Sequence, residues 1–107
     1  MQGSLLRFYV HEKDRIDGRP AWEWLLQEAN QLNLAGGSAF RAMAGFGRHH
    51  VLRANHFFEL AGTQAVEVEF IATDADARAL LDTVRAKQAD MFFVRMPVEF
   101  GRLDAAP

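Results

Sequence analysis

A glycine-flanked basic segment is the part of this 107-residue sequence whose residue types could do chemistry. Gly45 and Gly47 flank Phe46, and basic side chains follow at once. Successive backbone N–H groups at a glycine turn can form an anion-binding concavity, beside which arginine and histidine would supply positive charge. The segment therefore predicts an anion site made of Gly45, Gly47, Arg48, His49, His50 and Arg53. A strand exit with merely solvated basic side chains is the alternative.

Metal binding and catalysis receive less support from the same part of the chain. His49 and His50 are adjacent, so in an extended segment they point to opposite faces and would need a further ligand such as His56. For acid–base catalysis, His56 with Glu59 is the only local pair. We expect no catalytic residues, no resident metal ion and no cofactor.

The composition is typical of one small globular domain. The chain has no cysteine, a formal net charge of -2 and 50% hydrophobic residues, which predicts a single domain over residues 1–107 without disulfides. This charge creates no field that would attract nucleic acid or a membrane surface. No apolar run approaches the roughly 20 residues needed to span a bilayer, and no signal peptide is evident. We expect a cytoplasmic protein that does not insert into a membrane.

Residue periodicity predicts the elements that must position the basic segment. Helical spacing of apolar residues predicts helices that begin near Pro20 and Thr73. Two-residue alternation predicts strands over 4–10, 38–46, 65–72 and 91–100. The order β-α-β-β-α-β favours an α+β, ferredoxin-like fold, in which an antiparallel sheet of order 4-1-3-2 carries both helices on one face.

The connections and termini complete this organisation. Residues 11–19 form a polar connector between the first strand and the first helix. Residues 47–63 would form an extended loop or arm between the second and third strands. About 5–100 would be the ordered core, and 101–107 a frayed tail.

The sheet face without helices would be uncovered in a single subunit. We assign to it a mixture of aromatic, apolar and complementary charged side chains: Arg7, Tyr9, Arg41, Met43, Glu67, Glu69, Phe93, Arg95 and Glu99. Such a mixture is typical of a subunit interface, and nine Phe with four Met exceed what so small a core needs. We therefore expect a homo-oligomer, with a simply solvated face as the alternative.

Two further assignments separate core from surface. On the first helix, Trp22 falls in the apolar stripe with Leu25 and Ala29, whereas Trp24 is expected at a subunit edge. In the second strand, the segment from Phe40 to Phe46 is interpreted as core, with Arg41 on the oligomer face.

The motif AGGSAFRAMAGFG, preceded by LRFYVHEKDRIDGRPAWEWLL, resembles the PII-like family catalogued as domain of unknown function 190. The resemblance covers about Leu5 to Phe100. It implies a fold like that of the nitrogen-regulatory PII proteins, a trimer with the open sheet faces turned inward, and a regulatory or sensory role. Some relatives occur beside a fluoride-exporting membrane channel, which implies a membrane transport protein as a partner.

The resemblance also constrains the ligand. PII proteins hold the phosphates of ATP with a glycine- and lysine-rich loop after the second helix, whereas residues 86–90 here are AKQAD, without glycine. The only tyrosine, Tyr9, lies in a strand, so a tyrosine-modified loop is excluded.

A small anionic metabolite, with adenine nucleotides among the candidates, is therefore expected in the clefts between subunits. Residues 47–63 would contact the protein partner. A small dimeric α/β-barrel enzyme and a metal-binding PII-like trimer stay open as alternatives.

Overall fold

The computed structural model describes residues 1–46, 53–54 and 64–104. Its helices and strands follow in chain order: β1 (Gln2–His11), β2 (Arg15–Ile16), β3 (Arg19–Pro20), α1 (Ala21–Gln31), β4 (Gly36–Arg41), β5 (Ala44–Gly45), β6 (Arg53–Ala54), β7 (Ala65–Ala72), α2 (Asp74–Ala86) and β8 (Phe92–Glu99). The four predicted strands and two predicted helices are all present, and the second strand ends earlier than expected. Helix α2 begins as predicted, because the Thr73 hydroxyl accepts a hydrogen bond from the backbone N–H of Asp76.

The four long strands form one antiparallel sheet in the order β4-β7-β1-β8. Counted among the long strands, this is the predicted order 4-1-3-2. The prediction omitted the two short strand pairs, β2–β3 and β5–β6. Strands β4 and β8 are the two edges of the sheet, and β1 and β7 pair along their length in its centre.

One hydrophobic core lies between the sheet and both helices, which cover the same face. Alternate residues of the two central strands point into it, and α1 and α2 add the opposing layer. Phe8 and Phe70 meet edge to face with ring centroids 6.1 Å apart, an arrangement that adds about 0.5–1.5 kcal/mol beyond burial. The largest fully buried side chains are Trp24, Phe8, Phe70, Leu6, Leu25, Leu80 and Val68.

The assignment of the two tryptophans is wrong. Trp24 is fully buried, whereas Trp22 is only partly buried and packs at the margin of the core. The buried row of α1 runs through Ala21, Trp24, Leu25 and Ala29. A second apolar row lies one position further round the helix and includes Trp22, so the periodicity alone did not decide which row faces the sheet.

The assignment of Phe40 to Phe46 to the core is also wrong. Every residue of β4 is exposed, and so are Met43 and Phe46 beyond its end. Because β4 is an edge strand, no strand among the described residues pairs with its outer side.

A tight hairpin occupies the predicted polar connector. Ile16 pairs with Arg19, and the two residues between them, Asp17 and Gly18, have φ values of 53° and 79°. Two successive positive φ values are the requirement of a type I′ turn, which glycine adopts without strain. The Asp-Gly dipeptide is the sequence signal for this turn, which the prediction of a polar connector did not include.

An ion pair ties this hairpin to the end of α2. Lys87 Nζ lies 2.8 Å from Asp17 Oδ2. The hydrogen bond from Lys87 lowers the pKa of Asp17 below its ordinary value, and this effect outweighs the opposing effect of partial burial. The ammonium group of Lys87 is therefore paired with a carboxylate of the same chain.

We expect Asp17→Asn to destabilise the protein at neutral pH and to have no effect in acid. The lowered pKa means that Asp17 contributes stability above the ordinary pKa of aspartate, about 3.9. That contribution is lost as the pH falls through the folded-state pKa. Asparagine tolerates the positive φ at this position, so the turn itself is retained.

Melting temperatures of the wild type and the variant at pH 7 and near pH 3 check this expectation. Asp82→Asn, at an exposed position on α2, is the matched control. A difference in melting temperature between Asp17→Asn and wild type that persists unchanged in acid would contradict it.

Candidate functional site

The sheet face opposite to the helices, here called the open face, is set by strand register. Residues that pair across an antiparallel sheet point to the same side. Arg7 pairs with Glu69 and Val94, and Tyr9 pairs with Glu67 and Phe92. Together with the pairs of β4, these registers place the following residues on the open face: Leu5, Arg7, Tyr9, Ser38, Phe40, Glu67, Glu69, Ile71, Phe92, Val94 and Met96.

A cluster of charges lies at the centre of the open face. Arg7 Nε and Nη2 donate hydrogen bonds to Glu69 Oε1 at 2.8 and 2.6 Å. Glu67 Oε1 lies 3.7 Å from Arg7 Nε. The hydroxyl of Tyr9 and the carboxylate of Glu69 raise the pKa of Arg7 above its ordinary value. The cluster therefore combines one permanent cation with two carboxylates.

Large apolar side chains lie on the open face beside this cluster. Phe40 is 51% exposed, Ile71 41%, Phe92 69% and Met96 38%. The rings of Tyr9 and Phe92 contact each other with centroids 5.6 Å apart. Exposed apolar side chains around a polar centre are typical of a surface that another protein surface covers.

The structure corrects part of the predicted open face. Arg7, Tyr9, Glu67 and Glu69 lie there as predicted. The placement is wrong for four residues, which point to the helix side: Arg41 pairs with Val66, Phe93 with Phe8, Arg95 with Leu6, and Glu99 with Gln2. Met43 follows the end of β4 and belongs to neither face of the sheet.

The error in β8 has a physical reason. Both of its alternating sets contain apolar side chains, so the pattern did not identify the inner set. The more apolar set, which includes Phe92, Val94 and Met96, faces away from the helices.

Arg95 has a structural role on the helix side. Its Nε donates a hydrogen bond to Ser4 Oγ at 3.0 Å, and Ser4 Oγ donates to Asp74 Oδ1 at 2.8 Å. Ser4 is buried, and Asp74 is the first residue of α2. The edge strand β8 is thus joined through β1 to the start of α2.

Strands β4 and β7 separate at a hydrogen-bonded base formed around Gln64. The backbone N–H of Ala42 donates to the carbonyl of Ala65 at 2.9 Å. The buried Gln64 donates a hydrogen bond through its side-chain Nε2 to the backbone carbonyl of Ala42 at 2.8 Å. The backbone carbonyl of Gln64 accepts a hydrogen bond from the backbone N–H of Glu12 at 2.8 Å. Glu12 also pairs with Arg41. We call this the arm base, because the chain between Ala42 and Gln64 contains residues 47–63, the predicted arm.

Beyond the arm base, the structure brings together two of the six predicted anion-site residues. Gly45 in β5 is the antiparallel partner of Arg53 in β6. Gly45 is therefore an extended strand residue, not part of a glycine turn, and a Cβ there would meet nothing within 4 Å. Gly47, Arg48, His49 and His50 lie outside the described residues, as do His56 and Glu59. The anion site stays a prediction.

The described residues contain neither a cluster of metal ligands nor a membrane-spanning helix. Within residues 1–46 and 64–104, no three His, Asp or Glu side chains are grouped as metal ligands. No helix among the described residues is both long and apolar enough to cross a bilayer.

Comparisons with solved structures define the class of the fold. A protein from Thermus thermophilus, described as a PII-like signalling protein, matches with a TM-score of 0.67 and 16% identity over 91% of this chain and 87% of that chain. CPII, a nitrogen regulatory PII-like protein from Thiomonas intermedia K12 bound to ADP, AMP and bicarbonate, matches with a TM-score of 0.71 and 10% identity over 95% and 91%. The fold is PII-like.

The family is identified by sequence. Residues 3–100 match the model of domain of unknown function 190, described as an uncharacterised ACR. The UPF0166 protein of Aquifex aeolicus (strain VF5) is 31% identical over 84 residues, which are 78% of this chain and 80% of that protein. This chain belongs to the family of domain of unknown function 190, as the sequence motif predicted.

Proposed function

We propose that the protein is a homotrimeric PII-like regulator, not an enzyme, which binds a small anion through the glycine-flanked basic segment that contains Gly45, Arg48 and Arg53. The ligand is an anionic metabolite, with adenine nucleotides as the first candidates, in the clefts between subunits. Residues 47–63 carry the signal to a protein partner, for which a membrane transport protein is the candidate.

The open face is the observation that carries the proposed assembly. It presents Phe40, Ile71, Phe92 and Met96 to solvent in the single chain, and its central charges are already paired in register. Covering these apolar side chains with a second copy would remove them from water, at roughly 25 cal/mol per Å² of buried apolar surface. The complementary charges would define the register of the contact.

The pairing of Gly45 with Arg53 supports the proposed anion site. It brings a glycine backbone next to the backbone of an arginine from the other end of the basic segment. The connection after α2 is an unfavourable place for phosphate groups, because Lys87 is bound to Asp17 and glycine is absent there. The binding of ADP, AMP and bicarbonate by CPII makes these three compounds the first ligands to test.

Isothermal titration of the intact protein with ADP, AMP and bicarbonate tests the ligand. We expect Arg53→Ala and Arg48→Ala to weaken the binding of whichever compound binds by about 10- to 100-fold, the effect of losing a hydrogen bond to a charged group. Arg85→Ala, at an exposed arginine on α2, is the matched control and should bind as the wild type does.

Two results would contradict the proposal. Unchanged affinity in both arm variants would remove the anion site from this segment. A solution mass of one chain, measured by light scattering across a range of protein concentrations, would exclude the trimer. It would thereby also exclude a ligand site in clefts between subunits.

A further inference from the structure

The two edges of the sheet differ in how they are protected against pairing with another strand. Edge strand β8 contains Pro97 and Arg95, and a proline within a sheet keeps its nitrogen, which has no hydrogen, on the outer side. Edge strand β4 reads Gly-Gly-Ser-Ala-Phe-Arg, with no proline and only one charge, at its end. All six of its residues are exposed. An unprotected edge of small residues is a template for a further strand.

A groove lies beside this edge on the helix side of the sheet. It has a volume of about 480 Å³ and lies between α1 and the start of β4. Trp22, Leu26, Leu34 and Phe70 form its apolar part. Glycine is required at position 37, because a Cβ there would lie 2.5 Å from the Phe70 ring and 3.2 Å from the Leu26 side chain.

The charge of the groove is acidic. Among the residues that line it, Glu23 is the only ionisable one. Within the described part of the chain, Glu23 makes neither a hydrogen bond nor an ion pair. It extends from the first turn of α1, while Gln27, one turn along, is held by Arg19. A ligand with an apolar group and a positive charge would complement this surface.

We propose that β4 is a docking site for an extended peptide segment of a partner protein, which adds as a fifth strand. An apolar side chain of the peptide packs into the groove over Gly37 and Phe70, and a basic side chain two residues away pairs with Glu23. The backbone of the peptide satisfies the outer hydrogen-bonding groups of β4. Side chains two residues apart lie on the same face of a strand, so both can reach the helix side.

A second copy of this chain fits the site less well. Pro97 removes a donor from the outer edge of a second β8. A second β4 would bring only Gly37, Ala39 and Arg41 to the helix side, which leaves the apolar groove unfilled. The open face, which the proposed trimer uses, is on the other side of the sheet.

A synthetic peptide tests the proposal on the full-length protein. The probe is fluorescein-Thr-Lys-Thr-Phe-Thr-Lys-Thr-amide, which presents a lysine two residues from phenylalanine in either strand direction. We expect saturable binding by fluorescence anisotropy below about 1 mM. We also expect slower hydrogen exchange at the amides of residues 36–41 in the presence of the peptide.

Matched variants assign the binding to the groove. Glu23→Gln should weaken binding about threefold and Glu23→Lys about tenfold, as expected for a partly exposed charge pair. Asp82→Lys, which reverses a charge on α2, should leave binding unchanged. A probe with alanine in place of phenylalanine should bind about tenfold more weakly, because the groove loses its apolar occupant.

The proposal is overturned by any of three results. The first is no binding of the probe, and the second is equal binding by the wild type and Glu23→Lys. The third is protection of residues 36–41 in the peptide-free protein that disappears on dilution, which would show that a second copy covers the edge. None of these results bears on anion binding by the arm.

Discussion

Arg7→Glu is expected to convert the proposed oligomer into single chains. Of the residues that the structure describes, Arg7 is the only cation at the centre of the open face, where Nη2 lies 2.6 Å from Glu69 Oε1 and Nε lies 3.7 Å from Glu67 Oε1. The substitution places three carboxylates together on a surface that assembly would cover. An unpaired charge on a covered surface is strongly destabilising, so subunit association should weaken by at least about 100-fold.

Light scattering at several protein concentrations measures this effect. Arg85→Glu on the exposed face of α2 is the matched charge reversal and should keep the wild-type mass. Glu67→Gln removes the excess negative charge of the cluster and leaves the Arg7–Glu69 pair. This variant should associate more tightly and stay assembled down to a lower protein concentration than the wild type. An Arg7→Glu variant with the wild-type mass at every concentration would exclude the open face as the interface.

Trp24→Ala is expected to have the largest effect on the stability of the fold. Trp24 is fully buried between α1 and the sheet, and truncation of such a side chain costs about 3–5 kcal/mol. Trp22→Ala should cost less, about 1–2 kcal/mol, because Trp22 is only partly buried. The two variants thus distinguish the buried tryptophan from the partly buried one, which the sequence pattern had assigned the other way round.

Urea unfolding followed by far-ultraviolet circular dichroism compares the two variants without relying on tryptophan emission. Both must be measured at the same protein concentration, because subunit association contributes to apparent stability. Equal losses of unfolding free energy would contradict the packing described for α1. In Trp22→Phe, the emission that remains comes from the buried Trp24 and should be blue-shifted relative to the wild type.

The central strands could be predicted because each has one clear apolar set. In β1, Leu6, Phe8 and Val10 alternate with partly exposed residues, and this alternation matches the observed burial. Edge strands provide less information, since the helices cover only part of them. In β8 both alternating sets contain apolar side chains, and the prediction of its inner face was wrong.

The candidate site was less predictable than the fold. Single-sequence patterns describe faces of elements, but they do not show which distant residues meet. The pairing of Gly45 with Arg53 depends on where β5 and β6 align, and no local signal specifies this register. The groove beside β4 combines α1, Gly37 and Phe70, which only the tertiary arrangement brings together.

The arm base has a consequence for how a signal could leave this domain. Gln64 holds Ala42 with its side chain and Glu12 with its carbonyl, so three strand ends share one buried anchor. Displacing Gln64 would break both hydrogen bonds together, so this one buried residue holds the three strand ends relative to one another. On the proposed function, a signal carried by residues 47–63 would then leave the sheet unchanged, because Gln64 keeps the strand ends in place. A partner would contact the arm, and the domain would serve to hold it.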